Sequence, residues 1–134
     1  MTMEKKILIA DDDVQMVNAV KTLLENVGYT TVTTNDPKEV IELAKREKPD
    51  LIMLDVMFEG MTGPNGFELS RKIATDNDLK LTPVIILSGV KKVITSDFEV
   101  KPDKEWLPIA VFLDKPVRPD QLLKEISNLI SKRS

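Results

Sequence analysis

Short apolar runs and helical repeats alternate along this chain. Residues 5–10 (KKILIA) read as a strand. Residues 14–27 follow, with Val17, Val20, Leu24 and Val27 at helical spacing, and Gly28 ends the run. Residues 29–34 (YTTVTT) make a second strand, Thr-rich and therefore expected at a sheet edge. Asp36-Pro37-Lys38-Glu39 reads as a helix start: Asp caps, Pro takes the first helical position and Glu reaches back. That helix stops before Pro49. Residues 50–54 (DLIML) and 83–87 (PVIIL) are nearly all apolar, as strands covered on both faces are. Between them, residues 66–76 place Phe67, Ile73 and Ala74 on one helical face. Residues 109–113 (IAVFL) make a fifth strand. Pro119 opens the last helix, with Leu122, Leu123, Ile126, Leu129 and Ile130 on one face and Lys132-Arg133 at its end.

Five strands with helices between them predict a parallel sheet with right-handed crossovers, hence a three-layer α/β/α sandwich. The expectation is one domain over residues 1–134, without repeat, linker or low-complexity segment. The stretch 89–108 is the weakest. Pro102 and Pro108 interrupt it, and Val93, Ile94 and Phe98 support a helix of about two turns, short or irregular.

Polar patches follow directly on four of the apolar runs. Asp11-Asp12-Asp13 follows ILIA, Asp55 follows LIML, Ser88 follows VIIL, and Lys115-Pro116 follows AVFLD. Each patch thus falls at the carboxyl end of a strand, the edge where open parallel sheets bind ligands. Carboxylates, a hydroxyl and an ammonium gathered there can hold a divalent cation and receive a phosphoryl group.

Composition narrows the chemistry. The chain has 134 residues, 22 acidic and 19 Lys or Arg, for a formal charge of −3. No basic stripe suggests nucleic acid, and no apolar run approaches bilayer length. MTMEKK leads straight into a strand with no signal-peptide core, so a cytoplasmic protein is the expectation. There is no Cys and no His. Thiolate nucleophiles, Ser-His-Asp triads, phospho-His carriers and Cys- or His-based metal sites are excluded. Oxygen ligands suit magnesium, calcium or manganese.

In order and spacing, ILIADDD, LIMLDVMF, VIILSG and FLDKP resemble the first, third, fourth and fifth strand motifs of response-regulator receiver domains, across nearly the whole chain. The resemblance implies a flavodoxin-like sheet in the order 2-1-3-4-5, with the Thr-rich strand at the edge. Adjacent strands lie about 4.8 Å apart. The strand-1 carboxylates would then neighbour Asp55, with Ser88 on its other side and Lys115 reaching over. The resemblance further implies Asp55 as phosphoacceptor and Mg²⁺ as cofactor, bound by Asp12, Asp55 and the Met57 carbonyl, with Asp11 acting mainly through water. Asp13 would start the first helix. Three carboxylates repel one another; with Lys115 they sum to −2, which Mg²⁺ cancels. An ionised Asp needs no general base to attack phosphorus, which suits a chain without His.

Ser88 and Lys115 would bind the new phosphoryl oxygens, and Phe112 would rotate into the space Ser88 leaves. A cis peptide is implied at Lys115-Pro116. Met57 and Val90, both apolar, would flank the attacking water and slow self-dephosphorylation. The phosphoryl donor would be the phospho-His of a partner, a sensor histidine kinase or His phosphotransfer protein. Output would pass through protein contacts at the 89–130 face, where Trp106-Leu107 lie, to an unidentified protein target, with no direct nucleic-acid or membrane binding.

The sequence departs from the family pattern after Asp55. Phe58-Glu59 stand where Met-Pro is common, and Asn65-Gly66-Phe67 comes three residues late, so a longer loop covers the site. The 88–115 segment is also longer than usual. Two rivals stand beside the receiver reading. One is a degenerate receiver that binds partners without phosphorylation. The other is a haloacid-dehalogenase-like phosphatase built on Asp11-x-Asp13.

Overall fold

The computed structural model describes residues 5–55, 66–88, 110–114 and 118–133. Five strands, β1 (Lys6–Ala10), β2 (Thr30–Thr34), β3 (Leu51–Asp55), β4 (Val84–Ser88) and β5 (Ala110–Asp114), form one parallel sheet in the order β2-β1-β3-β4-β5. The helices are α1 (Val14–Asn26), α2 (Val40–Glu47), α3 (Gly66–Thr75) and the C-terminal α4 (Pro119–Arg133). This is the expected flavodoxin-like sandwich, with strand boundaries shifted by about one residue.

Alternation along the strands divides the core between the two faces. Leu8, Ala10, Ile52, Leu54, Val84 and Ile86 pack with Val40 and Ala44 of α2 and Leu69 and Ile73 of α3. Ile7, Ile9, Leu51, Met53, Ile85 and Leu87 pack with Val17, Val20 and Leu24 of α1 and Leu122, Ile126 and Ile130 of α4. Strands buried on both faces must read as continuous apolar runs, which β1, β3 and β4 do. β2 is one of the two edge strands, and its Thr content fits a position half open to water.

Three local expectations are corrected. Val27 does not belong to the buried face of α1; it is the C-terminal cap residue and 52% exposed, because the helix has turned past the sheet there. The segment after Asp36 begins as a 3-10 turn over Pro37–Glu39 before α2. Asp36 caps it by accepting the Lys38 N–H at 2.9 Å, but Glu39 does not reach back to Asp36; its carboxylate accepts the Thr34 hydroxyl at 3.0 Å. The Asp36 N–H donates to that same hydroxyl at 3.1 Å, leaving no donor for a capping box. On α3 the buried apolar positions are Leu69 and Ile73, while Ala74 is half-buried. The side chain of Phe67, the expected short helix within 89–108, and Val93, Ile94, Phe98, Trp106 and Leu107 lie outside the described residues.

Candidate functional site

β1 and β3 are direct neighbours, with Ala10 opposite Leu54. One step further along that register, Asp11 and Asp55 stand side by side at the carboxyl edge. Asp11 is 1% and Asp55 5% exposed; Asp12 is half-buried. A carboxylate oxygen from each of Asp11, Asp12 and Asp55 lies within 4.8 Å of the other two. Oxygens on opposite sides of a bound cation are about 4.2 Å apart around Mg²⁺ and up to roughly 5.2 Å around Ca²⁺. The 4.8 Å spread lies inside the Ca²⁺ span and a little beyond the Mg²⁺ one, so Mg²⁺ would need the carboxylates to draw slightly closer; oxygen-only donors are those such ions prefer.

Backbone bonds hold the acidic loop in place. The Asp11 N–H donates to the Thr34 carbonyl of β2 at 3.2 Å, extending the β1–β2 ladder by one rung. Asp11 Oδ1 accepts the Asp13 N–H at 2.9 Å. Asp13 Oδ1 in turn accepts the Met16 N–H at 3.1 Å, so Asp13 is the N-terminal cap of α1, as expected. Its side chain is exposed and engaged with the helix, outside the carboxylate cluster. The Asp11-x-Asp13 pair needed by a phosphatase of the dehalogenase type is therefore not presented to one site.

Ser88 ends β4, one residue past the Leu87 that pairs with Asp55, and its own strand partner is Asp114. Its backbone thus stands beside the cluster on the far side of β3. Phe112 sits on β5 opposite Ile86. The side chains of Ser88 and Phe112, and all of Met57, Phe58, Glu59, Val90, Lys115 and Pro116, lie outside the described residues. The sequence reading missed Thr34. It saw only an edge strand, yet this residue is buried at the carboxyl end of β2 and bonded to the acidic loop. A hydroxyl at a strand end just before Asn-Asp-Pro was the available signal.

Residues 7–127 match the response regulator receiver domain family. The chain is 31% identical over 129 residues to protein PilH of Pseudomonas aeruginosa, covering 94% of this chain and 98% of PilH. It is 30% identical over 105 residues to the probable transcriptional regulator ycf27 of Guillardia theta, covering 74% of this chain but 40% of that longer protein. Among solved structures, the chemotaxis response regulator CheY4 of Vibrio cholerae superposes with a TM-score of 0.77 at 27% identity, over 95% of this chain and 99% of that one. Receiver domains are signalling modules that work with sensor kinases rather than metabolic enzymes. No helix among the described residues is long and apolar enough to cross a membrane. With four strand-end motifs, a 2-1-3-4-5 sheet and a carboxylate cluster at its carboxyl edge, this chain belongs to the response regulator receiver domain family of two-component signalling.

Proposed function

We infer that Asp55 is the phosphoacceptor of this receiver domain, charged by the phospho-His of a partner kinase or phosphotransfer protein. The observation that carries this is the gathering of Asp11, Asp12 and Asp55 within 4.8 Å at the carboxyl edge of β1 and β3. Asp55 is the central member by strand order, with the β1 carboxylates on one side and β4 on the other. In the transfer, an Asp55 carboxylate oxygen forms the bond to phosphorus and the phosphorus–nitrogen bond to the donor imidazole breaks. That imidazole leaves with the bonding electron pair and is protonated. Asp11, Asp12, Asp55 and the Met57 carbonyl would hold Mg²⁺, which supplies charge neutralisation for the transferring oxygens. Lys115 would pair with the phosphoryl group once it is attached, and Ser88 would donate a hydrogen bond to it.

Bonds from a phosphoryl oxygen to charged or polar partners contribute roughly 1.5–3 kcal/mol each. Two of them contribute roughly 3–6 kcal/mol together, on the scale of the about 5.5 kcal/mol that exchanges a 1:99 population for 99:1. The switched surface is the 89–130 face, read by a protein partner. The chain thus catalyses its own phosphorylation and hydrolysis only.

Acetyl phosphate with Mg²⁺ tests this directly. Labelling should require the cation and disappear in Asp55→Asn. Label that survives in Asp55→Asn would move the acceptor elsewhere. Absence of any labelling would favour a receiver that binds partners without phosphorylation.

A further inference from the structure

We propose that the Thr34 side chain is a positioning residue for the acidic loop, so that the β2–α2 connection sets how well the carboxylate cluster holds a cation. The proposal rests on the cation reading of Asp11, Asp12 and Asp55 given above.

Thr34 is the last residue of β2, opposite Ala10, and its side chain is buried. Its carbonyl accepts the Asp11 N–H at 3.2 Å, which is the final rung between β1 and β2. That rung fixes where the chain leaves the sheet to present Asp11 and Asp12. End rungs fray unless something beyond them is tied down. Here the Thr34 hydroxyl does the tying. It donates to Glu39 at 3.0 Å and accepts the Asp36 N–H at 3.1 Å. The 3-10 turn so gripped leads straight into Val40, which is fully buried against the sheet. The end of β2 is therefore anchored to the core through its own side chain as well as its ladder.

The bonds form a continuous path. Glu39 and Asp36 hold Thr34; Thr34 holds the Asp11 backbone; Asp11 holds the Asp13 N–H at 2.9 Å; Asp13 caps α1. Asp12 sits inside this path. Asp11, whose backbone Thr34 holds, is itself a member of the carboxylate cluster, so slack at residue 34 is slack in the cluster. A metal site depends on such outer supports because ligand direction matters as much as ligand identity.

The experiment is calorimetric titration of the intact chain with MgCl₂, at a temperature where every variant is fully folded by circular dichroism. Loss of an outer partner costs roughly 10–100-fold in metal affinity, and Thr34 acts one bond further out, so Thr34→Val should raise the Mg²⁺ Kd about three- to tenfold. Thr34→Ser restores the hydroxyl and should restore the Kd. Glu39→Gln keeps an acceptor oxygen and should remain close to the unaltered chain, whereas Glu39→Ala should weaken binding. Glu39 is exposed, so this second pair carries the test if Thr34→Val does not fold.

An unchanged Kd in folded Thr34→Val, or in Glu39→Ala if Thr34→Val does not fold, would overturn the proposal while the cation site stood. Equal losses in Glu39→Gln and Glu39→Ala would assign the effect to charge and overturn it as well. No Mg²⁺ binding by the unaltered chain would remove the cation reading itself, and the proposal with it.

Discussion

Neutralising Asp55 should stabilise the fold in the absence of divalent cations and weaken it, relative to the unaltered chain, in their presence. Carboxylate oxygens of Asp11, Asp12 and Asp55 lie within 4.8 Å of one another. Two unit charges at that distance repel by about 3.5 kcal/mol at an effective dielectric of about 20. Asp55→Asn removes two such pairs. The pair with half-exposed Asp12 is weakened by water, down to roughly 1 kcal/mol in the bulk limit. The pair with Asp11 lies between two buried groups and keeps most of its strength. The Asn amide can donate to the remaining carboxylates, which offsets part of the loss of Asp55's other polar contacts. Allowing for these offsets, a net gain of about 2 kcal/mol in a chelating buffer is expected, a large effect for one side chain. In a domain of this size that raises Tm by roughly 6–10 °C.

Adding Mg²⁺ reverses the order. A ligand at 100 times its Kd stabilises the native state by about 2.7 kcal/mol. The unaltered chain gains that; Asp55→Asn, short of one charged ligand, gains little. Urea unfolding in chelator and in saturating MgCl₂, followed by circular dichroism, reads both arms. The crossing of the two stabilities is the signature. If Asp55→Asn is destabilised equally in both buffers, the cluster is not a set of mutually repelling charges, and the reasoning fails.

Three further outcomes follow from local structure. Lys48 ends α2 in the left-handed region at φ 51° and ψ 59°, a conformation that costs an L-residue roughly 1–2 kcal/mol; Lys48→Gly should raise the unfolding free energy by about 0.5–1 kcal/mol, seen as a higher urea midpoint at unchanged slope, after the entropy of a freer unfolded chain is counted. Asp13→Ala removes the cap on the Met16 N–H and should cost about 1 kcal/mol of stability, read from the urea midpoint. Lys45 and Asp76 join α2 to the end of α3 at 3.0 Å; the Lys45 hydrogen bond holds the Asp76 carboxyl below its ordinary value, and the Lys6 ammonium does the same for Glu47. Because both folded values are lowered, their contribution is full above the ordinary carboxylate range and is lost as pH falls through the lower folded values. Stability measured by urea should therefore drop below about pH 4, and Asp76→Asn should flatten that slope.

The sheet was legible because its central strands are short apolar runs of one kind, and only a parallel sheet covered on both faces accommodates several of them. The edge position of β2 could be read from its Thr content, because an edge strand tolerates hydroxyls. Local caps were harder. Asp36-Pro37-Lys38-Glu39 has the residues of a capping box, but the box needs a free Asp36 N–H, and the Thr34 hydroxyl two residues back had taken it. Val27 fits the helical period of α1 yet lies beyond the last turn that touches the sheet. Both errors have one source: a helix pattern does not say where packing ends or which nearby side chain competes for a donor.

The carboxylate cluster itself depends on register, and the charges around the strands set that register. In β1 and β3 the paired apolar stretches, Ile7–Ala10 and Leu51–Leu54, are equal in length. At the amino end, the Lys6 N–H donates to Asp50 Oδ2 at 2.8 Å and the Asp50 N–H donates to the Lys6 carbonyl at 2.7 Å. At the carboxyl end stand Asp11 and Asp55. Alternation alone would not choose the register, since either face accepts Ile, Leu or Met. A slip of one residue, however, would draw Asp50 or Asp55 into an apolar row, or separate Lys6 from its partner. Burying an unpaired charge costs far more than the repulsion it escapes. The same economy that excludes charge from the sheet therefore drives Asp11 and Asp55 together at its edge, where a divalent cation can relieve their repulsion.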